Sequence, residues 1–208
     1  MINEAQLLAE EQQFELLIEG LLNNEYGVCD NFFTPEEISG LRENLQTYHQ
    51  AGQMYPAGVG KNFDFQKNAE IRGDVIYWID EDSKNAVEAL FIEKIERFIA
   101  YLNATCYTGI NDSEFHYAYY EPKSFYKRHL DQFKSDRGRR FSMVLYLNDN
   151  WLEEDGGSLS LYIGDETLSV YPMGGRLVFF KSDETEHEVH AAPNRPRISI
   201  AGWLKVKK

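Results

Sequence analysis

Apolar residues recur at helical intervals through residues 4–22, where Leu7, Leu8, Phe14, Leu17 and Leu21 predict an amphipathic helix. The segment 26–32 predicts a strand. Next comes Thr34-Pro-Glu-Glu37, a capping box in which hydroxyl and carboxylate satisfy exposed amides of the first helical turn. It opens a second helix toward His49. A third helix is predicted over 83–102, with Val87, Leu90, Ile92, Ile95 and Phe98 on one broad apolar face. Stripes of this kind are usually core. Residues 51–71 carry glycine and asparagine without strong periodicity and predict a loop of the kind that covers a site.

From Ser113 onward the period shortens to that of strands, predicted at 115–120, 141–147, 158–163, 167–171, 176–181 and 198–204. Asp155-Gly-Gly157, Ile163-Gly-Asp165 and Pro172-Met-Gly-Gly175 supply turn chemistry between them. Many short, evenly spaced strands imply a sandwich or closed jelly roll, and helices packed outside it complete an α+β domain. The 208 residues suit one domain, 1–208, with mainly helical support in 1–105, including the early strand and the loop, and a β core in 113–204. Internal repeats and low-complexity segments are absent from the sequence.

The net charge of −13 argues against a general nucleic-acid binder or a partner of anionic membranes, because either needs a broad basic surface. One local exception is the stretch from Lys123 to Arg140, which reads equally as solvated loop charge or as a docking patch. Cys29 and Cys106 are too few for a disulfide scaffold and lack zinc spacing. The N-terminus lacks the basic start and apolar core of a secretory signal, and no run reaches membrane-spanning length. A soluble, cytoplasmic protein is expected.

His129-Leu-Asp131 changes the picture. Two imidazoles and a carboxylate can occupy one face of an octahedral ferrous ion, and residues two apart on a strand point to the same side. Alone the pair is weak, since surface pairs of this type arise by chance. His187 lies downstream, and Arg197 opens the alternating run Arg197-Ile-Ser-Ile-Ala-Gly-Trp203, which aims the arginine at the same interior. His190 and Arg195 are rivals for the last two roles. His190 would face away from His187 in an extended strand and Arg195 precedes a proline, so His187 and Arg197 are preferred.

Together with Tyr146-Leu-Asn148, Trp151, Gly156-Gly157, Leu177-Val-Phe-Phe180 and His187-Glu-Val, these residues resemble the 2-oxoglutarate- and iron-dependent prolyl hydroxylases. More narrowly the chain is similar to the oxygen-sensing branch and its bacterial relatives, through Ile71-Arg72-Gly73-Asp74, Trp78 and Tyr26-Gly27-Val28. The resemblance implies a double-stranded β-helix of the jelly-roll or cupin type, with N-terminal helices in support. It makes His129, Asp131 and His187 the Fe(II) ligands and gives Arg197 the distal carboxylate of 2-oxoglutarate. Tyr146 becomes a hydroxyl donor to that carboxylate, and Tyr119 lies near the metal-bound end. Val144 and Trp203 wall the pocket. Such families often place the histidine and arginine nine residues apart; here they are ten apart, around a longer turn at 192–196.

The same resemblance implies hydroxylation with O2 as cosubstrate, succinate and CO2 as products, and ascorbate as a stimulant. Asp131 fills the place that related halogenases leave for halide. Arg72, Asp74 and Arg139 are the expected substrate contacts, although Arg72 and Asp74 read alternatively as a strand-edge salt bridge. The expected substrate is a proline in a protein, and among bacterial relatives that protein is elongation factor Tu. Three further readings stay open: hydroxylation of a free amino acid or other small molecule, a nucleic-acid demethylase disfavoured by the charge, and a non-catalytic sensor of iron and 2-oxoglutarate. The oligomeric state is not encoded in these motifs.

Overall fold

The computed structural model describes residues 4–58, 70–132 and 137–207. Helix α1 (Glu4–Asn24) buries Phe14, Leu17 and Ile18, and helix α2 (Pro35–Gln50) begins at the expected capping box. Thr34 Oγ1 accepts from Glu37 N at 3.2 Å, and Glu37 returns the bond to Thr34 N at 2.8 Å. Between them strand β1 is shorter than predicted, Tyr26–Cys29, because the chain turns at Asp30 and Asn31 and puts Asn31 at φ 55°. Helix α3 (Ala86–Cys106) starts at Asn85, whose side chain accepts from Val87 and Glu88 N, and ends at Tyr107 in the left-handed region.

The β core comprises two antiparallel sheets. In the larger, the strands run in the order β1, β9 (Leu177–Lys181), β6 (Arg139–Tyr146), β11 (Arg197–Lys205), β4 (Asp112–Tyr120), β3 (Asp74–Trp78) and β2 (Tyr55–Pro56). The smaller has the order β5 (Tyr126–His129), β10 (Glu186–Val189), β7 (Leu159–Ile163) and β8 (Glu166–Val170). Strands β2, β3, β5 and β10 have no counterpart in the periodicity. Part of the predicted 51–71 loop, residues 59–69, lies outside the described residues, as do Lys134 and Asp136 of the basic stretch.

Alternation along the large sheet separates two cores. Phe115, Tyr117, Leu145, Leu177, Phe179, Ile198, Ile200 and Leu204 pack with Phe14, Leu17, Phe91 and Phe98 of the helices. Their strand neighbours Ala118, Tyr120, Tyr146, Val178 and Phe180 pack instead with Leu159, Leu161 and Val189 of the small sheet. Each strand thus has one face under helices and one face toward the gap between sheets, the arrangement that gives a β-helix an enclosed interior. The sheets are further tied at one end, where Arg72 bridges Tyr126 and Lys127 N bonds to Ile71 O. No described helix is long and apolar enough to cross a membrane.

Candidate active site

The gap between the sheets holds a cavity of about 330 Å³, lined by His129, Asp131 and His187 among others. In the register of β5 and β10, His187 stands opposite His129. Asp131 corrects the parity expectation, since β5 ends at His129 and Asp131 lies in a bend beyond it. Bonds that hold it there include Gln132 N to Ser182 O at 3.0 Å and Ser142 Oγ donating to Asp131 Oδ2 at 2.7 Å. Ser142 also bonds Ser182 Oγ at 2.8 Å, so the carboxylate rests on a buried hydroxyl pair.

One donor atom from each of the three residues lies within 4.8 Å of the others. His129 Nδ1–H donates to Lys127 O at 2.7 Å and His187 Nδ1–H to Thr185 O at 3.2 Å, a tautomer fixed by partners that can only accept. Both Nε2 lone pairs are therefore left on the Asp131 side, each 3.5 Å from one of its oxygens. Backbone carbonyls behind the imidazoles are the usual supports of histidine ligands, and two nitrogens with one carboxylate suit a non-haem ferrous ion. Burial raises the Asp131 carboxyl, but His187, His129 and the Ser142 bond outweigh it and hold it far below the ordinary range. Burial pushes His187 down to about 4, against the pull of Asp131. An ionised carboxylate and neutral imidazoles are the forms that bind metal.

Elsewhere in the same cavity Arg197, only 2% exposed, donates from Nε to Gly157 O at 3.0 Å and lies between the rings of Tyr120 and Tyr146, 5.1 and 5.0 Å away. Its Nη2 and the Tyr146 hydroxyl are both buried without a hydrogen-bond partner among the described residues. A buried guanidinium edge beside a buried hydroxyl fits a carboxylate, which accepts from both. Gly157 is required there: its φ is +66°, and a Cβ would meet Trp151 and Ala192 at 3.2 Å.

Val144 and Trp203 line the cavity as expected, whereas Tyr119 does not. It faces the helices and stacks on His49 at 3.8 Å; the cavity tyrosine is its neighbour Tyr120. Arg72 and Asp74 form a two-pronged ion pair at 2.7 and 2.5 Å, with Arg72 over the Tyr126 ring at 4.2 Å. Arg72 still lines the cavity, so the salt-bridge and lining readings hold together. Arg139 stacks on Trp203 at 3.3 Å, binds Glu114 and donates to Asp131 O at 3.2 Å. Its guanidinium braces the wall. His190 is bonded to Ser160 and Arg195 to Asp155, which removes both rivals from the metal and carboxylate positions. Sequence reading missed Tyr120, Tyr126, Ser142 and His116. Of these only Ser142 carried a signal, a hydroxyl in phase with Val144 and Tyr146.

A family model for the 2OG-Fe(II) oxygenase superfamily matches residues 115–205. Prolyl 3-hydroxylase OGFOD1 of Xenopus laevis is 38% identical over 77 residues, covering 32% of this chain and only 15% of that protein. The chain therefore spans a small part of these curated relatives. A crystal structure of a Pseudomonas putida prolyl-4-hydroxylase superposes with TM-score 0.85 at 31% identity, over 94% of this chain and 100% of that one. A Trichoplax adhaerens prolyl hydroxylase, in complex with a hypoxia inducible factor oxygen degradation domain peptide fragment, shares the fold with TM-score 0.88 at 24% identity, over 99% and 94% of the two chains. By its matching segment, its donor set and its full-length structural likeness, the chain belongs to the 2OG-Fe(II) oxygenase superfamily.

Proposed function

We propose that the chain is a prolyl 4-hydroxylase acting on a proline within a protein, with elongation factor Tu the first candidate substrate. The observation that carries this reading is the pairing, in one cavity, of the His129, Asp131 and His187 donors with Arg197, whose Nη2, like the hydroxyl of the adjoining Tyr146, has no hydrogen-bond partner among the described residues. The likeness to the Pseudomonas prolyl-4-hydroxylase supports the choice of proline.

In this reading His129, Asp131 and His187 hold Fe(II), and Arg197 with Tyr146 holds the distal carboxylate of 2-oxoglutarate. Iron, 2-oxoglutarate and O2 supply the oxidising power for hydroxylating a C–H bond, with succinate and CO2 as products. The residues themselves position and shield. Lys127 O and Thr185 O fix the imidazole tautomers, and the Ser142 hydroxyl orients Asp131. Tyr120, Tyr126, Val144 and Trp203 wall the cavity with apolar surface, which keeps water from the reacting atoms. Asp131 would fill the coordination place that related halogenases leave to halide, which favours hydroxylation.

The test is peptide mass spectrometry of the source proteome, depleted of this protein and incubated with Fe(II), 2-oxoglutarate and wild type or Asp131→Ala. A one-oxygen gain on a proline with wild type only is expected, and fragment analysis against authentic 3- and 4-hydroxyproline fixes the carbon. Succinate formation without any modified proline would overturn the protein-substrate reading in favour of a small molecule. Binding of iron and 2-oxoglutarate with no stimulated turnover would identify a sensor instead.

A further inference from the structure

His116 lies on the inward face of β4, in phase with Ala118 and Tyr120, and lines the same cavity as the metal-ligand candidates. Its ring sits against two indoles, with centroids 4.9 Å from Trp78 and 5.5 Å from Trp203. The residue is 4% exposed, and its Nδ1 has no hydrogen-bond partner among the described residues. Trp203 Nε1 beside it is also buried and unpartnered among the described residues. Neither group serves the metal or carboxylate positions described above. Buried polar atoms are almost always paired, so two adjacent exceptions in a cavity wall mark a place where a ligand completes the bonding.

Their chemistry narrows the ligand. An indole nitrogen can only donate, and a neutral imidazole offers one accepting nitrogen. Burial pushes His116 down to about 4, which keeps it neutral near pH 7. A carboxylate would find only one donor here, and the nearby cations, Arg139 on the Trp203 ring and Arg72 in the cavity wall, are already paired with Glu114 and Asp74, whereas a peptide backbone presents both a carbonyl and an amide hydrogen.

We propose that His116 and Trp203 read the backbone of the substrate: the Trp203 indole N–H donates to a backbone carbonyl, and the His116 imidazole accepts the N–H of a backbone amide. This rests on the prolyl hydroxylase reading and deepens it. Proline within a chain has no amide hydrogen, so the N–H comes from a flanking residue. Recognition therefore extends beyond the target ring to its neighbour.

Two small probes isolate the contact. N-acetylproline N-methylamide carries both the carbonyl and the N–H; N-acetylproline N,N-dimethylamide lacks the N–H. Each is titrated under anoxic conditions into protein loaded with Fe(II) and 2-oxoglutarate, following quenching of tryptophan fluorescence. Wild type is expected to bind the methylamide about five- to tenfold more tightly, the worth of one net hydrogen bond. His116→Met removes that preference by weakening the methylamide alone, and His116→Gln, which keeps an accepting oxygen, restores most of it. The visible absorbance of the Fe(II) and 2-oxoglutarate complex stays unchanged in both variants.

Absence of the preference in wild type, its survival in His116→Met, or failure of both probes to bind overturns the proposal. So does loss of the Fe(II) and 2-oxoglutarate absorbance in His116→Met, which would assign His116 to the cosubstrate. Failure here is separable from failure of the function. A protein proline oxidised in the proteome experiment, without a methylamide preference, sinks only this inference; the preference without any oxidised proline sinks only the hydroxylase reading.

Discussion

Arg197→Met separates ligand binding from folding, because the two effects have opposite signs. Among the described residues no carboxylate pairs with Arg197, and the guanidinium is buried with one bond to Gly157 O and two tyrosine rings about 5 Å away. Burying an unpaired cation costs several kcal/mol. The Gly157 bond returns about 1.5–3 kcal/mol and the rings about 0.5–2 kcal/mol. Methionine has similar length and removes the charge, at a cost of about 1–3 kcal/mol for the carbonyl left unpaired. The ligand-free variant is thus expected to be as stable as wild type or about 1–2 kcal/mol more stable, a rise of up to about 8 °C in Tm at roughly 2–4 °C per kcal/mol for a chain of this size. Adding 2-oxoglutarate reverses the order. At 100 times its Kd the cosubstrate stabilises wild type by about 2.7 kcal/mol. Losing the charge-assisted bond from Arg197, worth up to about 3 kcal/mol, weakens its affinity about 100-fold, so the same concentration gives the variant only about 0.4 kcal/mol. Chemical denaturation with and without 2-oxoglutarate, under anoxic conditions with Fe(II) constant, measures both quantities. A ligand-free variant more than about 2 kcal/mol less stable than wild type, or one that keeps the full 2-oxoglutarate stabilisation, would refute the assignment.

Four further outcomes can be measured. Ser142→Ala removes the bond to Asp131 Oδ2 and should lower Fe(II) affinity about tenfold, read by equilibrium dialysis, with Tm reduced only modestly. Gly157→Ala forces a left-handed residue, costing about 1–2 kcal/mol, and its Cβ 3.5 Å from Arg197 Cδ should raise the KM for 2-oxoglutarate; an unchanged KM would count against the Arg197 role. Tyr119→Phe should leave 2-oxoglutarate affinity within about twofold while Tyr120→Leu weakens it about tenfold, by calorimetric titration, since only Tyr120 faces Arg197. His116, held at about 4 against its ordinary 6.5, leaves stability independent of its titration above pH 6.5 and lowers it progressively as pH falls toward 4, because the unfolded chain binds the proton first. As pH falls across that window wild type should therefore lose up to about 3 kcal/mol more stability than His116→Met, at ~1.36 kcal/mol per pH unit, and parallel curves would contradict the burial argument.

The parts of the site that sequence revealed are those where chemistry restricts residue type. His129, Asp131, His187 and Arg197 are few enough in kind, and aligned enough with a strand pattern, to be chosen from the sequence alone, and the capping box at Thr34 is as explicit. Tyr119 shows where that reading stops. Strand β4 is covered on both faces, by helices against Phe115 and Tyr117 and by the cavity against Ala118 and Tyr120, so no polar side marks its phase. A slip of one residue exchanges the faces of a strand, and two adjacent tyrosines make the slip invisible. Strands β5 and β10 failed differently. Tyr-Lys-Arg-His and Glu-His-Glu-Val are short and polar, because their positions serve the ligand histidines and surface ion pairs such as Arg128 with Glu186 instead of a continuous apolar face. Ser142, Ser182 and His116 are common residue types that acquire meaning only through register, which sets the serines beneath Asp131 and the histidine between two tryptophans. Metal-binding chemistry is therefore encoded by residue identity, while the groups that orient it and select the substrate depend on pairing across strands remote in sequence. A variant that shifts the register of β4 by one residue would keep every ligand named from the sequence and still lose Tyr120 and His116 from the cavity.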